Sequence, residues 1–428
     1  MFCRLSNFRG HGILREVQLR NEMGFFLNCA LMEPWKKNLY SLWVAQFIAV
    51  AGLSMVVPFL PFYLKELGVT AREDVKIWSG LLFSAPFMVA AFLQPIWGIL
   101  GDRYGRKPMI VRAMFGLALA NILMGFARTA PQLLALRFFQ GSLSGFVAPS
   151  LALLASSTPE EKTGQALGTL QSSLVTGMII GPLLGGLLAH FMGYRFIFFW
   201  TGFFCLGAGL ITIKLLKENF IRKGARKGSG VMQNLRYVFG SPQLRFMLLL
   251  LIMIQFSLML VAPFLSLYVE FLKFPPEYVG LMTGLVFGIT GVTNAATAPF
   301  WGKRADRVGY REILRYSLAG MTLFYLPHAF VTNAYQLLIL RAGLGIFVAG
   351  VLPTINSIVQ RSTPEKDRGG IYGIFQSGLL VGNTAGPLLG GLLAASLGLR
   401  AIFLITTGIF FLAAIWERKT DQEQKSPP

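Results

Sequence analysis

The chain has 428 residues, of which 54% are hydrophobic and only 14% charged, against about 25% charged in soluble domains. A soluble chain this apolar lacks the polar surface to cover itself, which argues against a water-soluble enzyme. The charge is lopsided, with 39 Lys and Arg against 19 Asp and Glu and a net +20, so the placement of those charges must separate a nucleic-acid binder from a protein lying beside lipid.

Residues 1–38 form a basic segment with six Lys and Arg. It lacks an apolar core followed by a small-residue cleavage site, so no cleaved signal peptide is expected. Residues 1–31 read as an extension ahead of Met32, which opens Met-Glu-Pro-Trp-Lys-Lys-Asn before the first long apolar run. A membrane helix needs about 20 mostly apolar residues. Runs of that kind fall at Leu39–Leu64, Ile77–Gly101, Pro108–Ala127, Pro131–Ser156, Thr163–Gly193 and Phe196–Ile213. A polar, basic stretch, Lys214–Arg245, interrupts them. Six more follow at Phe246–Val269, Tyr278–Gly302, Arg311–Val331, Tyr335–Gln360, Gly369–Leu397 and Ala401–Trp416. The runs are too long, and alternate too little, for barrel strands. The expectation is an all-α membrane protein with twelve transmembrane helices. Its parts are a terminal segment (1–38), a six-helix bundle (39–213), a central loop (214–245), a second bundle (246–416) and a tail (417–428).

With the N-terminus on the cytoplasmic side, thirty of the 39 Lys and Arg fall on that side. Seven fall opposite: Lys65, Arg72, Lys76, Arg128, Arg195, Lys273 and Arg400. Arg137 and Arg341 fall inside spans. Positive charge gathers in cytoplasmic loops, so both termini and the central loop are expected there, with the bilayer as partner and anionic lipid heads within reach of the central loop. Spread over many short loops, the charge does not suit nucleic acid. Cys3, Cys29 and Cys205, and His11, His190 and His328, are isolated, so no metal site or disulfide framework is expected. No hydrolase or nucleotide-binding signature is present.

The chain repeats itself. Gly181–Ala189 recurs letter for letter as Gly386–Ala394, and Ser157-Thr-Pro-Glu160 recurs as Ser362–Glu365, both at a shift of 205. Pro58-Phe-Leu and Tyr63 recur as Pro263-Phe-Leu and Tyr268 at the same shift. Gly98, Asp102, Gly105, Gln132, Arg137, Gly141 and Pro149 match Gly302, Asp306, Gly309, Gln336, Arg341, Gly345 and Pro353 at 204. Two homologous halves of six helices each must run parallel, because an even count returns the chain to its starting side.

Gly98-x-x-x-Asp102-Arg103-x-Gly105-Arg106-Lys107, between spans 2 and 3, resembles the loop signature of the major facilitator superfamily. Gly302-x-x-x-Asp306-Arg307-x-Gly309-x-Arg311 echoes it between spans 8 and 9. The glycines permit a tight turn, and a carboxylate suits a helix N-terminus. The resemblance implies a cytoplasmic gate, with Asp102 at the start of span 11 and Asp306 facing span 5; a basic topology anchor is the plain alternative. Arg137-x-x-Gln140-Gly141 resembles the superfamily's span-4 motif, linked to proton coupling. A buried charge normally faces a cavity or a partner, although Arg137, about 9 Å along its helix from Pro131, could also snorkel. Arg341 lacks the glutamine, with Leu344 in its place.

Gly177-x-x-x-Gly181-Pro182-x-x-Gly185-Gly186 resembles the antiporter motif of twelve-span drug/proton antiporters, and Gly382, Gly386, Pro387, Gly390 and Gly391 repeat it. Close helix packing accounts for part of that pattern. Gly52-x5-Pro58-x-x-Pro61 resembles another signature of the group. The resemblance implies the major facilitator fold and export of a small amphiphilic substrate by a monomer in the bacterial inner membrane, with no cofactor and the proton as coupling ion. In this family spans 1, 4, 7 and 10 line the cavity, which here would place Gln46, Met55, Phe59, Phe62, Tyr63, Gln140, Gln255, Met259 and Asn356 in its wall. Helix packing is the alternative for each. None of the carboxylates is expected inside a span, so coupling falls to Asp102, Glu66, Glu270 or His190, or runs through Arg137. A selective transporter of an organic anion or sugar remains the alternative function, and a non-transporting scaffold a more distant one.

Overall fold

A computed structural model describes residues 33–218, 231–364 and 367–425, with backbone only at Asp102, Val231 and residues 421–425. The 1–31 extension, part of the central loop, Glu365 of the repeat and the Asp102 side chain lie outside the described residues.

The helices follow the apolar runs. They are α1 (Pro34–Glu66), α2 (Arg72–Tyr104), α3 (Arg106–Gly125), α4 (Ala130–Ser157), α5 (Glu160–Met192) and α6 (Tyr194–Leu215) in the first half. The second half has α7 (Pro242–Phe271), α8 (Pro276–Val308), α9 (Tyr310–His328), α10 (Ala334–Arg361), α11 (Arg368–Leu397) and α12 (Leu399–Lys425). A short helix, Val231–Gly240, precedes α7. Among the described residues, eleven helices are long and apolar enough to cross a membrane. The twelfth, α9, has 19 residues and carries Arg311, Glu312 and Arg315 in its first turns, where a helix end meets water and lipid heads.

The repeat is visible in the shapes. Each half's first helix tightens into a 3-10 turn around a proline, Val57–Phe59 in α1 and Ala262–Phe264 in α7. A ring that removes one backbone donor and crowds the preceding turn explains the bend. Tight reversals end α2, α5, α8 and α11 at Gly105, Gly193, Gly309 and Gly398, with φ of 102°, 87°, 105° and 89°, values that residues with a Cβ avoid. Packing repeats too: α1 lies on α5, α3 on α6 and α2 on α4, as α7 lies on α11, α9 on α12 and α8 on α10. Between the halves, α2 meets α11 and α5 meets α8.

Both described chain ends lie on one face, which also holds most of the Lys and Arg and is called the basic face below. The helices extend past the apolar runs, so that one carboxylate the runs left in the tail, Glu417, lies within α12. Glu417, near the basic end of α12, has no exposed surface and pairs with Arg315 Nε of α9 at 2.6 Å. Its charge is neutralised in place, as a buried charge requires.

Candidate functional site

The first loop motif is built around a helix start. Gly105 reverses the chain, and the Glu218 carboxylate then accepts from the backbone N–H groups of Arg106 (2.8 Å) and Lys107 (2.7 Å). This satisfies two donors that no helical bond can reach and places negative charge at the positive end of α3. Arg106 donates to the Ala152 carbonyl and, at 3.1 Å, to Ser156 Oγ on α4. Lys107 Nζ donates to the carbonyls of Ile213 (2.9 Å) and Leu216 (2.6 Å) at the end of α6. The motif's basic residues thus bind α3 to α4 and α6 of their own half. Arg103 stacks on Tyr104, 5.3 Å from its ring.

In the second copy, Asp306 was expected to face α5. Instead it accepts from the Tyr310 hydroxyl at 2.6 Å within its own half, and Arg361 lies 4.5 Å over that ring. Several glycines on this face are unpacked. A Cβ placed on Gly98, Gly164, Gly168, Gly302, Gly369 or Gly373 would meet no atom within 4 Å. Four of these belong to a repeat the sequence reading missed: Gly164-x-x-x-Gly168-x-x-Gln171-Ser172 recurs at a shift of 205 as Gly369-x-x-x-Gly373-x-x-Gln376-Ser377, with Gln171 and Gln376 both exposed.

The opposite face is shut. Gly80 of α2 lies against the Pro387 carbonyl and Gly391 of α11. At the equivalent place, a Cβ on Gly284 of α8 would stand 2.5 Å from the Pro182 carbonyl of α5, and one on Gly186 would stand 2.7 Å from the Gly280 carbonyl. Ser84 Oγ donates to the Thr384 carbonyl at 2.7 Å. His190 Nδ1 lies 2.8 Å from the Glu277 carbonyl, and its ring stacks on Tyr278. Lys65 and Glu270, at matching positions in the two halves, pair at 2.6 Å.

These contacts explain the Gly-Pro motif. Gly177, Gly181 and Gly185 press α5 onto α1, and Gly382, Gly386 and Gly390 press α11 onto α7. The last glycines, Gly186 and Gly391, and the carbonyls of Pro182 and Pro387 meet the other half. The motif therefore packs in two directions at once.

Of the expected cavity residues, Arg137 and Arg341 are 4% and 7% exposed. Arg137 Nη1 donates to Gln140 Oε1 at 2.8 Å, while its Nε and Nη2 have no partner among the described residues. Gln46 donates to the Leu170 carbonyl (3.4 Å), and Gln255 to Asn383 Oδ1 (2.6 Å). Met55 and Met259 lie against Gly185 and Gly386. Asn356 is exposed, and its carbonyl accepts from the Tyr372 hydroxyl at 3.0 Å. The aromatics sit differently from expectation. Phe59 and Phe62 are buried and stack with Tyr194 of α6 (6.1 and 5.2 Å), and the Tyr63 hydroxyl donates to the Met124 carbonyl at 2.9 Å. They belong to the shut end of α1, where no open wall exists. The sequence reading also missed Glu218, because nothing in a residue just past a helix marks it as the cap of another.

A sequence profile of the Major Facilitator Superfamily matches residues 42–292 and again 280–428. The chain belongs to the Major Facilitator Superfamily. This facilitator is 37% identical over 386 residues to the multidrug resistance protein MdtG of Salmonella typhimurium (strain LT2), covering 89% of the chain and 95% of that relative. Identity to MdtG of Klebsiella pneumoniae (strain 342) is also 37%, with 93% of it covered. In fold, the facilitator is similar to a bacterial homologue of the human lysosomal transporter Spinster in an inward-facing, occupied conformation (TM-score 0.77, 13% identity, 91% of this chain and 98% of that one). It is also similar to the nucleoside transporter NupG (TM-score 0.75, 12% identity, 89% and 98%). It is a multi-pass membrane transporter.

Proposed function

We propose that the chain is a multidrug exporter of the bacterial inner membrane that expels amphiphilic small molecules by proton antiport and alternating access. The observation that carries this reading is the 37% identity to MdtG proteins along 89% of the chain. The charge asymmetry supports both termini being cytoplasmic, because positive loops stay on that side. On that orientation, the glycine contacts that seal the far ends of α2, α5, α8 and α11 support an inward-open reading of the structure. Two bundles, 39–213 and 246–416, rock about a central site in a single chain that needs no cofactor. In the outward-open state the loop motifs close the cytoplasmic side, Asp102 against the start of α11 and Asp306 against α5. The unpacked Gly164, Gly168, Gly369 and Gly373 supply the close approach that this closure needs. Arg137, held by Gln140, is the charge of the first half's cavity wall.

The test is dye efflux from membrane vesicles with and without a proton gradient, run on the wild type, Arg137→Ala and Asp102→Ala. Gradient-dependent efflux of several unrelated dyes, weakened in both variants, is the expected outcome. Flux that ignores the gradient overturns antiport, tight selectivity for one solute overturns multidrug export, and normal transport by both variants overturns the site roles.

A further inference from the structure

At the shut face the two halves are built on one frame, and one position in it breaks the match. In the first half, Tyr63 donates to the Met124 carbonyl at 2.9 Å and packs on Phe198, ring centroids 4.7 Å apart. In the second, Tyr268 donates to the His328 carbonyl at 2.7 Å and packs on Phe403, again at 4.7 Å. Met124 and His328 both have no exposed surface. A thioether fills this place in one half, so packing does not require an imidazole in the other.

The imidazole is also costly where it stands. Its Nδ1 lies 2.6 Å from the Phe324 carbonyl, so Nδ1 carries the proton and Nε2 the lone pair. That Nε2 is buried with no hydrogen-bond partner among the described residues, a penalty methionine would not carry. The ring is stacked between Tyr325 (5.3 Å) and Phe403 (5.5 Å). Beside it the Tyr325 hydroxyl and the Arg341 guanidinium interact with each other, with Arg341 Cζ 5.9 Å from the Tyr325 ring. One orphaned polar atom, His328 Nε2, therefore lies beside a tyrosine–arginine pair. In the first half, Arg137 has Gln140 for a partner; the second half has Leu344 in that place, and the tyrosine and histidine stand near its arginine instead. The titratable and charged groups around His328 are Tyr325 on its own helix, Arg341 from α10, and Tyr268 from α7. Arg400 of α12 lies farther out, 5.5 Å over the Phe271 ring that stacks on Tyr268.

We propose that His328, with Tyr325 and Arg341, is a proton-binding site of the transport cycle. The inference rests on the antiport reading. A proton from solvent adds to the Nε2 lone pair when water reaches the cluster, giving an imidazolium, and returns to solvent when the cluster closes again. In the present conformation Nε2 has no acceptor for a second proton among the described residues, and the ring shares its cluster with a guanidinium. An ionisable group sits where the homologous position has none, in a chain whose span centres carry no carboxylate.

The experiment compares wild type, His328→Met and, as control, His11→Gln in proteoliposomes between pH 5.5 and 7.5, measuring both gradient-driven and downhill dye flux. Expected for His328→Met is at least a tenfold loss of gradient-driven flux, a flattened pH profile and retained downhill flux, with His11→Gln like wild type. An unchanged pH profile and full gradient-driven flux in His328→Met overturn the proposal. A wild type indifferent to the gradient overturns antiport itself, a separate result; the pH profile of downhill flux then decides on His328. If His328→Met fails to fold, histidine NMR on the folded His11→Gln/His190→Gln protein replaces it. A His328 signal that titrates across this range in the presence of dye supports the site, and one fixed at every pH with and without dye overturns it.

Discussion

Glu218 illustrates how a single side chain can hold a motif in shape. Its two carboxylate oxygens take the first free N–H groups of α3, while Lys107 ties the same turn to the end of α6. Removing such a cap costs about 1–2 kcal/mol. Glu218→Ala is expected to lower the thermal midpoint in detergent measurably, whereas Lys419→Ala, exposed near the end of α12, serves as the comparison. If Glu218→Ala melts no earlier, the cap is not holding the turn. The basic residues of the motif were legible in the sequence as a pattern, yet their partners were not, because Ala152, Ile213 and Leu216 contribute only backbone carbonyls, which any residue could supply. The aromatic set near Pro61 was misplaced for a related reason. The family's lining spans put Phe59, Phe62 and Tyr63 in the cavity wall but could not say which end of α1 was closed.

At the scale of helices, the twelve runs, the repeat and the doubled Gly-Pro motif were readable directly, since apolar length and self-similarity survive without coordinates. What each glycine touches was not readable, and here the structure separates two classes. Gly284 lies against a carbonyl of α5, so Gly284→Leu is expected to force α5 and α8 apart on the shut face. Distances between spin labels at the far ends of these helices would lengthen, and identical distances in variant and wild type would contradict that contact. Gly168 and Gly373 have empty space around them although glycine inside a helix costs roughly 1 kcal/mol relative to alanine. Gly168→Leu is therefore expected to fold and bind dye as wild type does while losing most transport, because the bulk obstructs closure of the basic face. Full transport by Gly168→Leu, checked in vesicles, would remove that face of α5 from the moving contact.

For the molecule as a whole, the Lys65–Glu270 pair joins the halves across the pseudo-symmetry axis at equivalent positions of α1 and α7. Both side chains are 40–45% exposed, so the pair contributes at most about 1 kcal/mol, a factor of roughly five in the balance between open and shut. Lys65→Glu is expected to raise the labelling rate of a cysteine placed near Glu277 several-fold, and Lys65→Glu with Glu270→Lys to restore it. A double variant as reactive as the single one would leave the pair without a role in closure.

The closest contacts between the halves are of bare backbone: a glycine of one helix lies against the carbonyl after a bend in another, twice over. Interlocked side chains must be lifted out of one another before two surfaces can shift, and each intermediate position loses packing on both sides. Where backbone meets backbone there is little to disengage, and the teeth that α5 does carry, Leu183 and Ile179, rest on the bare faces of Gly288 and Gly291, so this seam can part without prising large side chains from deep holes on both sides.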